Sequence, residues 1–102
     1  MLASFSVVPL GVGEELKTQV AEIVRLIQQS GLRHKLGAMQ TTIEGEPDQV
    51  FALIRRCHDR MRELAPRVLT SITIDDRRGA TGRLEGKVAD VEAVLRTPVN
   101  HD

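Results

Sequence analysis

Aromatic residues are nearly missing from this chain of 102: tryptophan and tyrosine are absent, and Phe5 and Phe51 are the two phenylalanines. With 41% apolar residues, the core has to be aliphatic, and the stacking platforms on which single-stranded nucleic acid is held are lacking. Neither sign of charge prevails. Fourteen basic and fourteen acidic residues give a formal net charge of zero, so no overall field draws in a polyanion and nucleic acid is not expected as a partner. The single cysteine, Cys57, excludes an intrachain disulfide framework and fits a reducing compartment, which makes the cytoplasm the expected location. No run approaches the ~20 apolar residues of a membrane span. The first residues lack the basic region of a signal peptide and meet Pro9 after a short apolar stretch, so no leader and no membrane partner are read. The length suits one domain, assigned to 1–96, with the polar stretch 97–102 expected to fray.

What is present is a succession of short periodic segments. Leu2–Val8 is β-branched and partly aromatic and is closed by Pro9, which reads as a first strand ending in a glycine-containing turn. From Glu14 to Ser30, Leu16, Val20, Ile23, Val24 and Ile27 recur at helical spacing, with acidic residues at the start and Gly31 just past the end. Lys35–Met39 and Gln40–Glu44 read as a hairpin. Pro47 suits a first helical position, and Val50, Phe51, Ile54, Cys57, Met61 and Leu64 follow on one stripe until Pro66 stops the helix. Val68–Ile74 alternates with period two, as a strand does. Leu84, Val88, Val91 and Leu95 mark a short C-terminal helix.

The order β-α-β-β-α-β predicts an α+β, ferredoxin-like sandwich: a four-stranded antiparallel sheet with two helices on one face, plus the short C-terminal helix. The far face of the sheet is then expected to be bare. If Phe5, Val7, Ile43, Ile72 and Ile74 point to the helices, alternation sends Ser4, Ser6, Val8, Gln40, Thr42, Glu44, Leu69, Ser71 and Thr73 to the open face. Serine is a poor strand former, so a strand face of hydroxyls mixed with Val8 and Leu69 suits a wet interface or a shallow ligand site. A plain solvated face is the alternative.

Motifs for catalysis or metal binding are weak. Cys57 and His58 diverge by about 100° on a helix, and Cys57 lies on the apolar stripe, so a buried structural thiol is expected rather than a nucleophile. His34, His58 and His101 lack zinc-ligand spacing. Gly11-Val12-Gly13 reads as a turn, since the residues of a phosphate loop do not follow. Asp75-Asp76-Arg77-Arg78 reads as a solvated loop or a set of intersubunit ion pairs.

The stretch Gly37-Ala38-Met39-Gln40-Thr41-Thr42-Ile43-Glu44-Gly45-Glu46 resembles the YkoF-like thiamine-binding family. Ser4-Phe5-Ser6-Val7-Val8-Pro9, the run from Val68 to Arg77, and Leu84-Glu85-Gly86-Lys87-Val88 match it in the same order, so the likeness spans about residues 2 to 95. The resemblance implies a ferredoxin-like fold, homodimers assembling into homotetramers through their sheets, and thiamine or a related pyrimidine bound near those interfaces without being transformed. No cofactor is required on this reading; thiamine is the bound ligand. An aminopyrimidine asks for paired donors and acceptors, which Ser6, Thr41, Thr42 and Ser71 could supply, and a cationic thiazolium favours a carboxylate, which Glu44 offers. Val8, Met39 and Leu69 are expected to sandwich the rings. Thr41 turns inward under strict alternation and needs a bulge or strand end to be exposed. Glu44 reads equally as an exposed charge or an intersubunit partner. Two other functions stand beside binding: a small oligomeric enzyme with a site shared between subunits, using Glu44 or Asp75 as acid or base, and a regulatory module that binds a protein on the open face.

Overall fold

The computed structural model describes residues 1–13, 16–79, 81–96 and 98–99, with the side chain of Lys87 left aside. The chain runs β1 (Leu2–Leu10), α1 (Lys17–Ser30), β2 (Arg33–Leu36), β3 (Thr41–Glu44), α2 (Pro47–Leu64), β4 (Arg67–Asp75) and α3 (Arg83–Leu95). The four strands form one antiparallel sheet in the order β2-β3-β1-β4, so the α+β sandwich foreseen from the periodicities is the observed architecture. Among the described residues, no helix is long and apolar enough to cross a membrane.

Local chemistry sets the element ends. Gly31 closes α1 in the left-handed conformation at φ 75°, where glycine carries no steric cost. At the head of α2, Pro47 takes the first turn and the Glu46 backbone N–H donates to Gln49 Oε1 at 3.1 Å, satisfying a donor left open by the helix start. Ala65, extended before Pro66, ends it. Between β2 and β3 the Gly37 N–H donates to the Gln40 carbonyl at 3.0 Å. A Cβ on Gly37 would meet that same oxygen at 2.6 Å, so only glycine lets the hairpin close this tightly.

The core lies between the sheet and the α1/α2 layer. Ala3 and Phe5 of β1, Ile43 of β3, Ile23 and Ile27 of α1, and Val50, Leu53, Ile54, Cys57 and Met61 of α2 are buried together. Arg60 of α2 reaches across to Glu22 of α1 at 3.2 Å, tying the two helices on their outer side.

Four expectations need correction. Pro9 does not close the first strand, which runs on to Leu10. Beyond Phe5, β1 pairs only with β4, and an edge strand tolerates a proline. The second strand sits earlier than Lys35–Met39, at Arg33–Leu36, because Gly37–Gln40 is spent on the turn. Phe51 lies beside the buried stripe of α2 rather than on it and is 49% exposed; Val50, Leu53, Ile54, Cys57 and Met61 keep the inward spacing. The open face is not bare. α3 packs over β2 and β3 on that side: the Arg83 backbone N–H donates to Glu44 Oε2 at 2.6 Å, and Arg33 pairs with Glu85 at 3.3 Å. Among the described residues, no helix covers the β1/β4 half of the face. Within α3, Leu84 is buried and Val88 half-buried while Val91 and Leu95 are exposed, so its apolar stripe loses its cover in the second half of the helix. The expected helical start at Glu14 and most of the frayed tail fall outside the described residues, although the Val99 N–H donates to Glu92 Oε2 at 2.8 Å.

Candidate functional site

A sheet face that one residue in two supplies can be read from the strand registers. Opposite residues in an antiparallel pair share a face, so the pairs Ala3–Ile43, Phe5–Thr41, Phe5–Ile72 and Val7–Thr70 look toward α1 and α2. The pairs Ser4–Thr42, Ser6–Ser71 and Val8–Leu69 look away. A hydrogen bond of 2.6 Å between His58 Nδ1 of α2 and Thr70 Oγ1 fixes the helix side of β4.

The eight expected ligand residues separate on this frame. Ser6, Val8, Leu69 and Ser71 form one patch on the uncovered half of the open face, with Leu69 54% exposed. Thr42 and Glu44 share that face but lie toward its other end. Glu44 stands opposite Leu2 and Leu69 opposite Val8, which is about 20 Å along β1 at about 3.3 Å per residue. One small molecule does not span both. The Glu44 carboxylate is also engaged with the first turn of α3, where it complements the helix N-terminus. Thr41 is buried on the helix side, as strict alternation requires. Met39 sits in the β2–β3 turn and is 88% exposed.

A concave site lies elsewhere, at the end of β1 where its pairing stops. β1 has β4 on one side from Leu2 to Leu10 but β3 on the other only from Leu2 to Phe5. From Ser6 to Leu10, the second edge has no strand partner among the described residues, and alternate residues of such an edge present backbone donors and acceptors. Between this edge, α1 and the Gly37–Gln40 turn lies a cleft of about 210 Å³, with Val20, Val24 and Leu36 on its apolar walls and Thr41 and Gln40 as polar lining. Ser6, Val8, Met39 and Thr41 also line it, so it gathers half of the expected residues. The Ser4 hydroxyl donates to Gln40 Oε1 at 2.6 Å, which holds the turn against β1. No carboxylate lines the cleft among the described residues.

The sequence reading missed Val20, Val24, Leu36 and Gln40 as site residues. Val20 and Val24 sit on the same helical stripe as true core positions, and nothing in their spacing separates a cleft wall from a core. The only available signal was that the hairpin strands are shorter than the first strand, which leaves part of β1 unpaired.

Cys57 is fully buried, and burial pushes its thiol up to about 11 from the ordinary 9.0, the nearby Arg56 charge opposing this. It is the structural thiol expected from the stripe. Among the described residues, no group of three His, Cys, Asp or Glu side chains is placed to hold a metal ion.

A four-stranded antiparallel sheet in this strand order with two helices packed on one face defines the ferredoxin-like α+β class. The family model described as thiamine-binding protein matches residues 3–92, and the chain belongs to that family. It is 41% identical over 99 residues to a UPF0045 protein of Mycobacterium tuberculosis, covering 96% of this chain and 97% of that one. It is 30% identical over 101 residues to the UPF0045 protein YqgV of Bacillus subtilis, covering 93% and 97%. Among solved structures, a domain of unknown function from Bacillus cereus superposes with a TM-score of 0.77 at 34% identity over 85% of each chain. A Thermotoga maritima protein, described as a candidate thiamine biosynthesis/salvage protein, superposes with a TM-score of 0.78 at 23% identity, over 88% of this chain and 96% of that one; that likeness is one of fold.

Proposed function

We propose that this protein binds thiamine or a related aminopyrimidine, without transforming it, in the cleft between α1 and the open edge of β1. The observation that carries this reading is the meeting of an unpaired backbone edge with apolar walls. An aminopyrimidine has a flat apolar ring and adjacent donor and acceptor groups, and a strand edge offers the complementary pair without any charged side chain. At about 210 Å³, the cleft is smaller than the ~300 Å³ at which drug-sized pockets begin, so it suits the pyrimidine ring, with the thiazolium left at the mouth. Membership of a thiamine-binding family supports the ligand class. At about 0.3 to 0.5 kcal/mol per non-hydrogen atom, a thiamine-sized ligand would bind at ~100 μM to sub-micromolar concentration, which fits a carrier or sensor in a reducing compartment.

Calorimetry with thiamine, its aminopyrimidine half and its thiazole half tests this. Thiamine and the aminopyrimidine should bind and the thiazole should not. Val20→Trp, which fills the cleft from a half-exposed helix position, should abolish binding while leaving the circular dichroism spectrum unchanged. Full affinity in that variant sinks the cleft as the site.

A second reading keeps the ligand on the open face, between sheets stacked in a homotetramer. It is favoured by the patch of Ser6, Val8, Leu69 and Ser71 that α3 leaves uncovered. In that case Leu69→Lys should abolish binding and Val20→Trp should not.

A further inference from the structure

The chain carries little that an oxidant can attack. It has no tryptophan or tyrosine, and its sulfur resides in Met1, Met39, Cys57 and Met61. Cys57 and Met61 are fully buried in the core, and Met1 is partly buried against it. With its thiol pushed up to about 11 by burial, Cys57 holds almost no thiolate, the form that reacts, near neutral pH. Met39 is the exception, 88% exposed. Oxidation of sulfur follows exposure, so mild peroxide has one ready target among these four side chains.

That target stands at the ligand cleft. Met39 lines it together with Val8, Val20 and Leu36, which are also exposed, so the mouth has an apolar rim. The turn that carries Met39 is held from two directions. The Gly37 N–H donates to the Gln40 carbonyl at 3.0 Å, and the Ser4 hydroxyl donates to Gln40 Oε1 at 2.6 Å. The Met39 backbone is thereby kept at the rim, while its unbranched side chain, with a polarisable sulfur, is free to fold over a ring seated in the cleft.

We propose that Met39 is a modification site whose oxidation to the sulfoxide by hydrogen peroxide loosens the ligand, an inference that rests on the cleft being the binding site. The sulfur lone pair attacks one peroxide oxygen and the O–O bond breaks. The departing hydroxide takes the proton from the oxygen left on sulfur and leaves as water, so sulfur loses two electrons and peroxide gains them. The product is a polar side chain, and Val8, Val20 and Leu36 offer its oxygen no side-chain donor. Folding it over a bound ring would strip water from that oxygen without replacing the hydrogen bond, so the oxidised side chain stays in solvent and the ligand loses its cover. Methionine sulfoxide reductases remove the oxygen, which makes the change reversible.

Brief treatment with hydrogen peroxide, peptide mapping by mass spectrometry, and calorimetry with thiamine after removal of the peroxide test this. Met39 should gain one oxygen well before Met1 or Met61, and thiamine affinity should then fall by about tenfold. Treatment with both methionine sulfoxide reductases, A and B, should restore it. Met39→Leu, whatever its own affinity, should not change on treatment, and Met39→Gln, polar at all times, should bind as weakly as the oxidised wild type. Undiminished affinity with Met39 fully oxidised overturns the proposal, as does an equal peroxide loss in Met39→Leu. Oxidation of Met1 or Met61 as fast as Met39 also overturns it. Failure of the untreated protein to bind thiamine would instead overturn the binding reading itself, whereas binding that survives the oxygen on Met39 overturns only the switch.

Discussion

The Cys57 thiol contributes to stability through its proton. In the folded chain its pKa is pushed to about 11 from 9.0 by burial, so the native state keeps the proton longer than the unfolded state as pH rises. Stability from this group is therefore complete below pH 9 and is lost as pH climbs toward 11. A shift of this size corresponds to about 3 kcal/mol. The window is unusually clean, because the chain has no tyrosine and Lys17, Lys35 and Lys87 are its only lysines. Urea unfolding at pH 8 and pH 10.5 should show a marked loss for the wild type. Cys57→Ala should cost about 1–2 kcal/mol at pH 8 through the small cavity it leaves, and should then lose much less between the two pH values. An equal alkaline loss in both proteins would assign the effect to other groups.

At the scale of elements, α3 is attached to the sheet by few bonds. Glu44 receives the Arg83 N–H, Glu85 meets Arg33, and Leu84 alone is buried among the described side chains of the helix. Exposed ion pairs such as Arg33–Glu85 contribute little, so the Glu44 carboxylate is the main polar fastening. Glu44→Ala should cost about 1–2 kcal/mol and raise amide exchange across residues 83–95 while the α2 amides stay protected. Equal loosening of both would mean that α3 belongs to the same cooperative unit as the core. These contacts also separate what was legible in the sequence from what was not. The elements and the inward faces of β1 and β3 followed from apolar period alone, since Phe5, Ile43 and the α2 stripe face one core. Glu44 could not be read as a helix cap, because Arg83 lies 39 residues away and no local spacing joins them. Phe51 was misplaced because it was counted with Val50, and a step of about 100° between neighbours turns one of two adjacent apolar residues away from the core. The cleft was invisible for a third reason: it depends on where β3 stops pairing with β1, a property of two strands together.

At the scale of the whole molecule, ligand and partner would both add to stability, and the two contributions have different signatures. A ligand at a hundred times its Kd stabilises the native state by about 2.7 kcal/mol whatever the protein concentration, which for a chain of this size corresponds to a rise in Tm of roughly 10–20 °C. A dimer stabilises by mass action of the chain on itself, so its Tm should climb roughly 3 °C for each tenfold increase in protein concentration. Thermal unfolding followed over a hundredfold range of protein, with and without thiamine, therefore separates ligand binding from self-association in one experiment. Val20→Trp should lose the thiamine shift and keep any concentration dependence, because it alters the cleft and leaves the open face of the sheet untouched. A Tm independent of protein concentration in the wild type would remove self-association while leaving the cleft intact. Loss of both responses in Leu69→Lys, with both kept in Val20→Trp, would move the ligand from the edge of β1 to the open face and make the second subunit part of its site.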